Sequence, residues 1–249
     1  MPTEFRPTFA PMPTGFRPTF AHMLRRAWLA GAAGGFAGFL IGGVCGRLAM
    51  FILRLTSDDF VRGAESDDGF TIGRFSLATG FLLVITAALG SVAAVLYISV
   101  RPALPLHWRR AMWATLCGAI GGAAIIHSDG IDFNLLEPTA LAIAMFIAIP
   151  AGGGWLMAYF IDRWQPWWAK NRRKTAIASV AVVPIALVGA GLVPGAVIVA
   201  TAVVAVLAQV GPLRSIAGHV ALRGAICLGL GALTVAAVVN LSTDVRTLL

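Results

Sequence analysis

The chain has 249 residues, of which 58% are hydrophobic and only 12% charged, and its mean hydropathy is +0.84. A soluble domain of that length cannot hide so much apolar surface, so the composition points to an all-α polytopic integral membrane protein. A net charge of +8 does not signal nucleic acid here, because the basic residues lie in short stretches between apolar runs.

Residues 2–21 hold a near duplication, PTEFRPTFA followed by PTGFRPTFA. Its prolines oppose a regular helix, so residues 1–26 are expected to form a disordered basic tail. Three readings stay open for this tail: contact with anionic lipid, a neutral duplication, or translation that starts at Met12 or Met23. Arg25 and Arg26 precede Trp28, a basic–aromatic anchor facing the inner leaflet. No cleavable signal peptide is expected, since the first apolar run is too long and lacks a small-residue cleavage site.

That run, residues 27–54, is the first predicted span and the hub of the predicted bundle. Gly34, Gly38, Gly42 and Gly46 recur every four residues, so they share one helix face that favours close backbone approach in lipid. Whether the ladder packs within one chain or between two copies is open at this stage. Arg47 lies 19 residues beyond Trp28, about 28 Å along a helix, near the far edge of the hydrocarbon. An arginine at that depth either meets a partner or snorkels to the headgroups.

The next segment carries Asp58, Asp59, Glu65, Asp67 and Asp68 against Arg62 and Arg74. A second span is predicted over 77–100, then a basic loop with two prolines, then a short third span over 111–126. His127, Asp129, Asp132 and Glu137 follow, and Pro138 suits the first turn of a fourth span over 138–161. Pro150 and Gly152–Gly154 predict a kink in that span. Residues 162–174 read as an inner anchor of tryptophans and cations, including Lys170, Arg172, Arg173 and Lys174.

From 175 to 211 the chain is apolar over 37 residues, about 55 Å of helix and nearly twice the membrane core. It must fold back, and Val193–Pro194–Gly195 is the only suitable turn. Spans five and six are therefore placed at 175–193 and 195–211, and span seven at 221–241. Six spans is the alternative. With seven, the segments assigned inside hold 14 of the 19 Lys and Arg but only Glu4 and Asp162 of the 11 acids. That bias predicts the N-terminus inside and the C-terminus outside, in a plasma or cytoplasmic membrane.

Three constellations remain as candidates for function. The two outer loops gather eight acids, which repel each other unless a divalent cation or the arginines Arg47, Arg54, Arg62 and Arg74 neutralise them. His127, Asp129 and Asp132 offer half a metal site. The third is an absence: no nucleophile elbow, P-loop, dinucleotide fingerprint or HExxH motif occurs, and no acid lies within an apolar core. The leading expectation is a non-catalytic accessory, sensing or assembly protein whose acidic loops bind a partner or cation, with self-association as a further option. A solute or ion permease and a metal-dependent enzyme at the outer face are the alternatives.

Overall fold

The computed structural model describes residues 20–57, 77–128, 133, 137–170 and 220–249. These residues are all-helical, with no strand among them. Helix α1 (Phe20–Ala37) runs into a π-helical stretch (Gly38–Cys45) and on into α2 (Gly46–Thr56), so that one continuous rod precedes the first acidic segment of the sequence. Then come α3 (Leu77–Val100), α4 (Arg109–Ile125), α5 (Thr139–Lys170) and α6 (Val220–Leu248).

Among the described residues, four stretches are long and apolar enough to cross a membrane: Trp28–Thr56, Thr79–Val100, Thr139–Gln165 and Ile226–Leu248. Their large outward side chains, among them Phe39, Phe51, Leu55, Phe81 and Leu228, are exposed, as expected where lipid is the solvent. Helix α4, with 17 residues, is about 25 Å long and falls just short of that set. The proposed spans five and six lie outside the described residues.

Three helix boundaries differ from expectation, one of them the end of α6, which runs seven residues past residue 241 to Leu248. The first helix begins at Phe20, inside the segment expected to be a tail, because Pro18 is the last proline to oppose it. Helix α5 continues nine residues past the apolar run, to Lys170, carrying Asp162 on helical backbone. The polar boundary at Asp162 does not end the helix, because its charge is met by arginines described below.

Small residues set the packing. A Cβ on Gly34 or Gly38 would collide with the backbone of α3, at Gly90 and Thr86 respectively, and one on Gly42 would stand 2.9 Å from Thr86 Cβ. The ladder thus meets another helix of the same chain. Gly46 departs from it: a Cβ there meets nothing within 4 Å. Four-residue steps overshoot a 3.6-residue turn and drift around an α-helix, whereas the wider π turn counters that drift. Gly34, Gly38 and Gly42 therefore stay on α3, and Gly43 joins them beside Leu83 and Thr86. The Thr86 hydroxyl, which could compete with this contact, donates back to Leu82 O at 2.8 Å.

A second close pair joins α4 to α5. A Cβ on Gly118 would stand 3.0 Å from Ala151 Cβ, and one on Gly154 would stand 2.8 Å from Cys117 Cβ. Pro150 packs beside Gly121, while Gly152 and Gly153 face Ile41 of the π stretch. The proline–glycine segment expected to bend is therefore a seat for two neighbours within one helix.

Among the described residues the core divides into two clusters. One joins Ala30, Ala33 and Ala37 of α1 to Tyr97 of α3, Trp113 of α4 and Ile161 of α5. The other joins Leu53 of α2 to Ile126, Phe133, Ile143 and Leu241.

Candidate functional site

The charged end of the bundle is built by the turn between α3 and α4. Helix α3 closes with Arg101 N donating to Tyr97 O at 2.7 Å, and Pro102 and Pro105 prevent its continuation. Tight bonds from Ala103 N to Val100 O (2.9 Å) and Trp108 N to Pro105 O (3.2 Å) keep the connection compact. Arg101 thus lies at one end of the turn, with Arg109 and Arg110 as the first residues of α4. Cations at a helix N-terminus oppose the helix dipole, so both need compensation from elsewhere.

Asp162 of α5 supplies it. Its carboxylate is 5% exposed and receives three guanidinium groups. Arg110 Nε donates to Oδ2 at 2.8 Å, and Arg109 Nη2 stands 2.8 Å from the same oxygen. Arg101 Nη2 lies 2.9 Å from Oδ1, a charge contact off the hydrogen-bond axis. Its Nη1 donates to Gln165 Oε1. Burial pulls the Arg101 guanidinium below its ordinary pKa, and Asp162 opposes that shift. Arg110 also lies over the Tyr159 ring, 5.6 Å from its centroid. With one acid against three bases, this quartet keeps a formal charge of +2.

Beside it opens a cavity of about 770 Å³ whose polar lining is Arg26, Arg101, Arg109 and Gln165. Pro102, Leu104, Pro105 and Leu106 form its apolar wall. Since Gln165 turns its oxygen to Arg101, its amide NH₂ points elsewhere; Nε2 is enclosed and has no acceptor among the described residues.

The opposite end is clasped by hydroxyls. Glu137 N donates to Ser57 Oγ at 2.8 Å, Ser57 Oγ donates to Leu53 O at 2.8 Å, and Thr56 Oγ1 donates to Glu137 O at 2.7 Å. The residues just before one acidic segment of the sequence are thereby fastened to the last residue of the other. Ser128 Oγ donates to Asp244 Oδ1 at 3.1 Å, which ties in α6.

Of the residues singled out from sequence, Asp58, Asp59, Glu65, Asp67, Asp68, Arg74, Asp129 and Asp132 lie outside the described residues. Glu137 and His127 are exposed, and Arg47 is half-buried on α2. No three His, Cys, Asp or Glu side chains come together among the described residues. Sequence reading missed the Asp162 quartet, although the signal was present: Asp162 is one of two acids among 14 cations on its side. Compared with protein-family models, with curated proteins and with solved structures, the chain matches none.

Proposed function

We propose that this chain is a seven-span protein of the cytoplasmic membrane, with its N-terminus inside and its C-terminus outside. In this reading it is a non-catalytic accessory, sensing or assembly component whose acidic outer loops receive a protein partner or a divalent cation. The observation that carries the reading is the fastening of α5 at both ends. Arg101, Arg109 and Arg110 hold it at Asp162, and Ser57 and Thr56 hold its start at Glu137. Alternating access requires one end to open while the other closes. Here either opening breaks a charge cluster or a hydrogen-bonded clasp, which favours a fixed scaffold over the permease alternative.

The test is pulsed electron–electron distance measurement in lipid nanodiscs, on a background with the three native cysteines replaced by alanine. Labels at Leu106 and Arg163 report the charged end, and labels at Leu55 and Leu249 report the other. One narrow distance at each end, unchanged by added solutes or cations, fits a scaffold. Two populations that exchange in opposite senses at the two ends would establish alternating access and overturn the reading.

A further inference from the structure

We propose that the cavity beside the Asp162 quartet binds the phosphate group of an anionic ligand, presented at the membrane surface. The proposal rests on the membrane placement above but not on the scaffold role. Four features lead to it. The quartet has two more positive charges than negative, and two of its arginines line the cavity. Arg26 reaches the same space from α1. Gln165 also lines the cavity and holds Arg101 there by accepting from its Nη1. Finally, the cavity is amphipathic, with arginines opposite a wall of prolines and leucines.

The depth is also right for a lipid headgroup. Arg101 follows directly on the span Thr79–Val100, and Gln165 is the last residue of the span Thr139–Gln165. Leu106 and Trp108 protrude beside the cavity, 77% and 62% exposed, as interfacial side chains do. Guanidinium groups match phosphate oxygens in geometry and charge, so arginine rather than lysine suits this role. Asp162 then has a second effect. It holds the arginines in place while competing with the ligand for their N–H groups.

That competition makes the proposal separable from a purely structural role. The experiment is native mass spectrometry with parallel thermal unfolding of the full chain, comparing phosphatidylglycerol, phosphatidylcholine and inorganic phosphate. Wild type should retain phosphatidylglycerol in preference to phosphatidylcholine and unfold at a higher temperature with it, by mass-action linkage. Arg26→Gln and Gln165→Leu should each weaken retention, by about fivefold for the lost arginine. Asp162→Asn should unfold at a lower temperature than wild type and yet gain more from the anionic lipid.

Stabilisation by inorganic phosphate in neutral lipid, at millimolar concentration, would identify a soluble phosphate as the ligand instead. Equal retention of both lipids by wild type, with no effect of phosphate, would overturn the proposal. That comparison needs no variant, so a misfolded mutant cannot obscure it. It also leaves the distance measurements on α5 untouched, so the two readings fail separately.

Discussion

Gly34 and Gly90 occlude one another: a methyl group on either would collide with the other's carbonyl oxygen. The contact is reciprocal and involves backbone on both sides, so neither helix can yield by turning a side chain. Gly90→Ala is expected to cost about 1–3 kcal/mol through forced separation of α1 and α3. Gly46→Ala has open space and should change stability by no more than about 0.5 kcal/mol. Thermal unfolding in one detergent, with both variants side by side, checks the contrast. Equal losses would mean that glycine acts through backbone freedom rather than contact.

Removing the acid from the quartet leaves three guanidiniums facing each other. Asp162→Asn should lower stability by about 3 kcal/mol, the scale for stripping a buried ion cluster of one partner. Arg110→Gln should lose about 1 kcal/mol or less, because Arg110 is 37% exposed and water screens it. Equilibrium unfolding in mixed micelles reads both. A silent Asp162→Asn would show that the cluster contributes nothing to the fold.

The hydroxyl clasp is read most directly by amide exchange. Ser57→Ala removes the acceptor for Glu137 N–H, so that amide should exchange much faster, with a stability loss of about 1 kcal/mol. Ser57→Thr keeps the oxygen and should restore protection. Unchanged exchange at Glu137 in the alanine variant would place its proton elsewhere.

Orientation can be checked at two exposed positions on either side of α4. Leu106 precedes that helix and His127 follows it. With the N-terminus inside, a membrane-impermeant thiol reagent should label His127→Cys on intact cells, and Leu106→Cys only after permeabilisation. Labelling of both from one side would mean that α4, with its 17 residues, does not cross the membrane.

The helical character and the apolar stretches were legible because lipid demands long runs of apolar residues with internally satisfied backbone. Gly34, Gly38 and Gly42 were legible as a contact face because their spacing is set by the helix itself. Asp162 was not, because an acid after an apolar run reads as the start of a loop. The helix runs on through it, and there it meets Arg101, Arg109 and Arg110. The seat formed by Pro150 and Gly152–Gly154 was legible as a special place in α5 but not as a packing surface. Local sequence shows where a helix can bend; only its neighbours show whether that space is filled. The hydroxyl clasp was hidden for a related reason, since it joins Ser57 to a backbone group 80 residues away.

The π stretch between Gly38 and Cys45 acts as a phase shifter in a single rod. A residue downstream of it points in a direction that an unbroken α-helix would have assigned to a different position. The upstream half and the stretch itself give their glycines to α3, while the downstream half places Leu53 in the cluster with Ile126, Phe133 and Ile143. One helix thereby serves as two differently addressed surfaces without a break in its backbone. Deleting one residue from this stretch would tighten the turn toward ordinary α geometry and rotate Arg47, Leu53 and Arg54 together, through about 100° given 3.6 residues per turn. The eight-residue stretch therefore constrains the length of the chain as well as its composition, because it sets how the two helical segments it joins are turned relative to one another.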